Sequence, residues 1–292
     1  MTDAVWTIQR LLAWTTDFFR ERGIESPRLD AEVLLSALLG RDRMYLYVHF
    51  DEPLEPEELA RFRGYVKERA AHVPLAYVLG RREFMGLDFR VTRDTLIPRP
   101  DTEILVQCAV DFLCARMEAG MDELCVADIG TGTGAIALST LHYTERTHAD
   151  AVDISPAAAA VACDNAETLG LTERIDIHVG DLLAPLAGRA YDMILSNPPY
   201  IPSADIADLM PEVRSYEPHL ALDGGADGLD IYRRLTADAP ALLKEGGAIA
   251  VEVGINEAAA VAALMEEHTR IVRTETMKDL GGIDRVVVGY TV

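Results

Sequence analysis

The chain reads as an α/β protein on a mostly parallel sheet, with a small all-α domain ahead of it. Three observations carry this reading. From Leu124 onwards, short apolar runs alternate with helical stretches, the pattern of a parallel sheet covered on both faces. One run ends in a glycine-rich turn that opens at once into a helix. The first eighty residues instead carry apolar residues at helix spacing.

The helical part comes first. Val5, Ile8, Leu11, Leu12, Thr15, Phe18 and Phe19 recur on one helical face, and Gly23 ends the run. Ser26-Pro27 reads as an N-cap and first-turn proline, opening a helix through Leu39 that Gly40 closes. Pro56-Glu57-Glu58 starts a third helix, to about Ala71. Residues 1–82 are therefore expected to form one helical domain, suited either to stabilising the rest or to docking a partner. At 83–100, Phe84, Leu87, Phe89 and Val91 sit among Gly86, Asp88 and Arg93, which predicts a short β-hairpin as linker. Residues 101–292 form the second domain, with Asp101 expected to cap a helix through about Met117. Strands are expected at Leu124–Ile129, Ala149–Asp153, Ile175–His178, Tyr191–Ser196 and Ala248–Val253. Helices are expected at Ala135–Leu141, Pro156–Leu169 and Leu229–Leu243. Ile271–Thr276 and Arg285–Tyr290 flank a turn at Asp279–Gly282, a hairpin that would add one antiparallel strand at the sheet edge.

Composition narrows the function classes. Lys+Arg is 27 and Asp+Glu is 48, a net charge of -21, which repels phosphate backbones and argues against a nucleic-acid substrate. Cys108, Cys114, Cys125 and Cys163 form no C-x-x-C pair, so no metal site is expected. The segment Met1 to Arg20 is amphipathic and carries Asp3, Arg10 and Asp17, unlike a signal peptide. No apolar run reaches the ~18 residues of a membrane span. A cytoplasmic protein with no membrane partner is expected, and the acidic surface suits a monomer.

The turn after Leu124–Ile129 is Gly130-Thr131-Gly132-Thr133-Gly134. Its glycines allow a tight turn and let a ligand approach the backbone. The helix N-terminus that follows favours a carboxylate or phosphate group. Asp153 ends the next strand, nineteen residues after Gly134, where a carboxylate can accept hydrogen bonds from both ribose hydroxyls. It disfavours a 2′-phosphate, and it has a second role open to it, capping the helix at Pro156. Asp181 and Leu182 follow the third strand, placed to meet an adenine amino group and ring.

Asn197-Pro198-Pro199-Tyr200 follows the strand ending at Ser196. Two prolines fix the backbone and remove two N–H donors. The Asn197 side-chain oxygen and the Pro198 carbonyl remain as acceptors. Two acceptors that hold both hydrogens of an NH₂ group localise its lone pair and direct it at a sulfonium methyl. No strong base is then needed. Tyr200 offers a flat ring for stacking on an amide.

Together these residues resemble the glutamine N5-methyltransferases that modify peptide chain release factors. The resemblance runs through Gly86–Phe89, Leu96-Ile97-Pro98-Arg99-Pro100-Asp101-Thr102-Glu103, Asp128 to Ala137 and Asn197–Tyr200. It continues in Glu217-Pro218, Gly224-Gly225, Asp227 to Arg233 and Gly282-Ile283-Asp284-Arg285. It implies a seven-stranded class I methyltransferase sheet, Rossmann-like, behind a helical domain that grips the release factor. It implies S-adenosylmethionine as cofactor, held by Asp128, Gly130, Thr131, Gly132, Thr133, Gly134, Asp153, Ile154, Asp181 and Leu182, with Asn197 beside it. Asn197, Pro198, Pro199 and Tyr200 would hold the glutamine amide of a Gly-Gly-Gln loop in a class 1 release factor. Arg99 would stand on the substrate side, in the segment that separates this family from the ribosomal-protein glutamine methyltransferases. An ion pair with Asp101 or Glu103 is its other role. The rival readings are a ribosomal-protein glutamine methyltransferase and an adenine-N6 methyltransferase. A cofactor-binding module and a nicotinamide oxidoreductase leave Asn197 unexplained.

Overall fold

The computed structural model describes residues 5–292. The first four residues of the expected helical domain therefore lie outside the described residues. In chain order the elements begin with α1 (Ile8–Glu21), α2 (Pro27–Leu39), α3 (Arg43–Val48), α4 (Pro56–Ala70) and α5 (Leu75–Leu79). There follow β1 (Arg81–Phe84), β2 (Leu87–Arg90), α6 (Glu103–Glu118), β3 (Leu124–Ile129), α7 (Ala135–Tyr143), β4 (Thr147–Asp153) and α8 (Pro156–Thr168). The chain continues with β5 (Ile175–Val179), β6 (Tyr191–Ser196), α9 (Pro211–Tyr216), α10 (Asp230–Leu242), β7 (Leu243–Glu252), α11 (Ala258–Glu266), β8 (Ile271–Lys278) and β9 (Asp284–Thr291). Two compact units result, and the segment Met210–Tyr216 belongs with the first, up to Gly80, rather than with its chain neighbours.

The helical unit is held by one core that includes Ile8, Leu12, Phe19, Leu34, Leu35, Phe62 and Val66. Helices α1, α3 and α4 begin where local chemistry satisfies the first N–H groups. Thr7 accepts from the Arg10 amide, and Glu55 and Glu58 form a capping box on α4. Gly40 closes α2 in the left-handed conformation, as its position predicts. Ser26 occupies the cap position of α2 but its side chain makes no capping bond.

The second unit is built on a seven-stranded sheet in the order β5-β4-β3-β6-β7-β9-β8. Both faces are buried. Val126, Met193 and Ala248 belong to one core cluster, whereas their neighbours Ala127, Ile194 and Ile249 belong to the other. Strands β3 to β7 are mutually parallel, and β9 runs antiparallel between β7 and β8. The β1–β2 hairpin turns at Met85 and Gly86, both with positive φ, and its Phe84 and Phe89 pack into the first cluster.

Several sequence expectations need correction. Asp101 does not cap α6. Pro100–Thr102 forms a 3₁₀ turn first, and the Asp101 carboxylate pairs with Arg285 at 2.8 Å. Asp153 does not cap α8 either: the Ser155 hydroxyl takes that role by accepting from the Ala158 amide. The terminal hairpin contributes two strands, and its antiparallel member is the inner one. The outermost strand on that side is β8, most of whose residues are exposed. Helices α3 and α5, of six and five residues, are too short to show a period.

Candidate active site

The strand order changes direction between β3 and β6, the place where open parallel sheets bind ligands. The register aligns the strand ends there. Ile129 lies opposite Val152 on one side and Ser196 on the other, and Ser196 lies opposite Val251. The turns that begin at Gly130, Asp153 and Asn197 therefore leave the sheet side by side, with Glu252 level with Asn197. The Ser196 hydroxyl donates to the Ile129 carbonyl at 2.6 Å, tying the two central strand ends together.

The glycine turn is shaped from below by Asp128. This carboxylate is fully buried and accepts from the Thr131 hydroxyl at 2.7 Å and the Ala137 amide at 3.2 Å. Burial pushes it up to about 6 despite those bonds. Asp153 holds the turn from the side, accepting from the Gly132 amide at 2.8 Å and the Ser155 amide at 2.9 Å. Asn165 clips it to β2 by donating to the Thr133 and Arg90 carbonyls. Gly130 and Gly132 have φ of +76° and +57°, and a Cβ built on either meets nothing within 4 Å. Side chains there would stand in open space. Gly134 is different, because a Cβ would press on Leu138 at 2.9 Å.

Asn197 is half-buried, and its Nδ2 donates to the Thr102 hydroxyl at 3.2 Å. Pro198 is buried and Pro199 half-buried. Tyr200 packs against the second core cluster, and burial pushes its hydroxyl up to about 12, so the ring stays neutral. The turn rests on the backbone of Gly224 and Gly228. A Cβ on Gly224 would come within 2.8 Å of the Pro199 carbonyl oxygen, and one on Gly228 would collide with the Tyr200 carbonyl. This explains Gly224 and Gly228: they let two backbones touch.

These elements enclose a cavity of about 390 Å³. Gly130, Thr131, Gly132 and Thr133 line it from the glycine turn, Asp153 and Ile154 from the end of β4, and Asn197 and Pro199 from the end of β6. Two loops the motif reading did not assign to the cofactor, Arg93–Pro98 and Pro218–Ala221, supply the opposite wall apart from Ile97. Arg99 also lines it. Its partner is neither Asp101 nor Glu103: the guanidinium donates to Glu217 Oε1 at 2.5 Å, and Glu217 Oε2 accepts from the Ile97 amide at 3.1 Å. Asp128, Gly134, Asp181, Leu182, Pro198 and Tyr200 are not among the lining residues. Asp181 is half-exposed and paired with Arg234 at 2.6 Å. Leu182 takes a positive φ and packs against the second core cluster.

Residues 10–80 match the model of the PrmC N-terminal domain, and residues 106–211 match that of the methyltransferase small domain. The chain is 47% identical over 285 residues to a release factor glutamine methyltransferase of Geobacter sulfurreducens, covering 98% of this chain and 97% of that one. The chain belongs to the release factor glutamine methyltransferases. A second relative of the same name, from Moorella thermoacetica, is 45% identical over 92% of this chain and 93% of its own. The N-terminal domain of human METTL16 in complex with SAH shares the fold, with a TM-score of 0.52 and 19% identity over 76% of this chain and 82% of that one.

Within this methyltransferase, the residues that motif reading missed are Thr102, Glu217, Glu252 and Arg285 in their supporting roles. Glu252 ends β7, is 2% exposed and lies beside Thr102 and Asn197, both of which pull its carboxyl back down against burial. Its one visible signal was a lone carboxylate closing the apolar run Ala248–Val251. No helix among the described residues is long and apolar enough to cross a membrane.

Proposed function

We propose that this enzyme methylates the side-chain amide of the glutamine in the Gly-Gly-Gln loop of class 1 peptide chain release factors, in the cytoplasm, using S-adenosylmethionine. The observation that carries the reading is the place of Asn197. It stands beside the glycine turn, lines the cavity, and commits its Nδ2 to Thr102. That leaves its Oδ1 to serve as the acceptor.

The residues present fit the cofactor. The cavity lies within the ~300–1,000 Å³ of small-molecule sites. The open space over Gly130 and Gly132 is room that a side chain would fill. Thr131, Gly132 and Thr133 would hold the carboxylate end at the start of α7. Asp153 would accept the ribose hydroxyls, and the half-exposed Ile154 gives an apolar wall for a flat ring. Asp181 would reach an adenine amino group on releasing Arg234, and exposed ion pairs of this kind are worth little. When bound, the cofactor supplies an electrophilic methyl group.

The chain's own residues orient the acceptor. Asn197 Oδ1 and the Pro198 carbonyl accept hydrogen bonds from the two amide N–H groups, which localises the nitrogen lone pair. Tyr200 stacks on the flat amide and stays neutral at working pH. Arg99, held by Glu217, sits at the rim where a substrate backbone enters. The helical unit docks the release factor away from the reacting loop. The net charge of -21 disfavours nucleic acid as substrate.

Asn197→Ala tests this reading. Losing one preorganised acceptor should slow methyl transfer by about 10²-fold, with cofactor affinity in a calorimetric titration nearly unchanged. Normal turnover at saturating cofactor with a large loss of affinity would contradict the assigned role.

A further inference from the structure

An asparagine side chain has two nearly identical ends, and only one of them accepts. Something must decide which end of Asn197 faces the acceptor nitrogen. The register puts Glu252 level with Asn197 on the neighbouring strand, fully buried. Its carboxylate lies close enough to Thr102 and Asn197 for both to ease its burial, and Thr102 in turn accepts from Asn197 Nδ2 at 3.2 Å. The Tyr232 hydroxyl fixes the same residue by donating to the Glu252 carbonyl at 2.7 Å.

A buried glutamate is a costly choice for glue. Glu252 Oε2 has no hydrogen-bond partner among the described residues. The nearby cation, Arg285, is bonded to Asp101 and Asp279 instead. What a carboxylate does that an amide or hydroxyl does not is accept without donating. Set behind Asn197, it makes one of the two amide orientations much the better.

We propose that Glu252 is a positioning residue for methyl transfer: with Thr102 it locks the Asn197 amide so that Nδ2 points into the protein and Oδ1 points at the acceptor nitrogen. This rests on the reading of Asn197 given above. It predicts a dependence on pH. Burial, with Asp101 adding to it, pushes Glu252 up to about 7 although Thr102, Arg285 and Asn197 pull it down. Tyr200 and Tyr232, which feel the same carboxylate, are pushed up and stay neutral through this range, and Glu257, which acts on both tyrosines, is itself pushed up by burial. A protonated Glu252 donates as well as accepts and no longer discriminates between the two ends. The rate should therefore fall as pH drops through the range around 7.

The test uses the full-length enzyme, labelled S-adenosylmethionine and a purified class 1 release factor. Glu252→Gln should lower kcat about tenfold, with KM for the release factor and the cofactor Kd within about twofold. Its remaining activity should lose the acid limb. The double variant Asn197→Ala/Glu252→Gln should be no slower than Asn197→Ala alone, because Glu252 acts through Asn197. Thr102→Val, which keeps the shape and removes the bridging hydroxyl, should lower kcat in the same non-additive way and carries the test should Glu252→Gln not fold. A Glu252→Gln enzyme with kcat near wild type, or a double variant slowed by the product of the single effects, overturns the inference while leaving the site intact. Full activity in Asn197→Ala overturns the reading of the site and this inference with it.

Discussion

Asp30 in the helical unit is 6% exposed, and Arg69, buried beside it, reaches it at 2.6 Å and Glu212 of α9 at 2.6 Å. Burial pushes the Asp30 carboxyl up and the Arg69 guanidinium pulls it back. In the sheet unit, Asp128 and Glu252 are as deeply buried, but Asp128 accepts from a hydroxyl and an amide and Glu252 lies beside Thr102 and Asn197. Burial pushes those two up to about 6 and about 7. The contrast separates two uses of a buried carboxylate. One is matched with a cation and ties α9 to α2 and α4. The others are kept as acceptors beneath the glycine turn and the Asn197 turn, where they shape the site at a cost to stability.

Breaking the matched set should have the largest effect. Arg69→Met leaves Asp30 without its cation, and removing one partner of a buried pair typically costs about 3–5 kcal/mol. Denaturant unfolding of the full chain should show it, and a loss under about 1 kcal/mol would mean water reaches Asp30. Glu252→Gln should act with the opposite sign. Its carboxyl has an ordinary value of 4.5 and a folded value of about 7, so the folded state holds the proton more tightly. Wild type therefore loses stability as pH rises from the ordinary value to the folded one. The variant should be more stable at pH 8 by up to about 3 kcal/mol, the gap closing towards pH 4.5. A variant less stable at pH 8 would make Glu252 glue rather than a positioning group.

Smaller effects sharpen the same contrast. Asp153→Ala removes an acceptor shared by the Gly132 and Ser155 amides and should weaken cofactor binding by roughly 1.5–3 kcal/mol. Unchanged affinity in a calorimetric titration would count against its role. Tyr200→Phe should change kcat by less than about threefold, since only the ring is needed and its hydroxyl stays protonated. A tenfold loss would assign the hydroxyl a part in the chemistry.

Local chemistry was legible from residues, and pairing across strands was not. Asn197–Tyr200 and Gly130–Gly134 announce themselves because prolines and glycines dictate backbone shape within a few residues. Asp153 was found by its spacing, but its bonds to Gly132 and Ser155 depend on how β4 lies beside β3. Arg99 pairs with Glu217, 118 residues away, where nearby Asp101 and Glu103 were the sequence's obvious candidates. Glu252 meets Asn197 only because β7 adds next to β6 in one register. The place of β9 inside β8 has the same origin, since an alternating pattern marks a strand but not its neighbours.

The most direct measurement is methyl transfer from labelled S-adenosylmethionine to a purified class 1 release factor, to its Gly-Gly-Gln variant with alanine for glutamine, to large-subunit ribosomal proteins and to double-stranded DNA. The account predicts label on the release factor alone, absent from the alanine variant and strongly reduced with Asn197→Ala enzyme. Label on a ribosomal protein or on DNA, with none on the release factor, would contradict it.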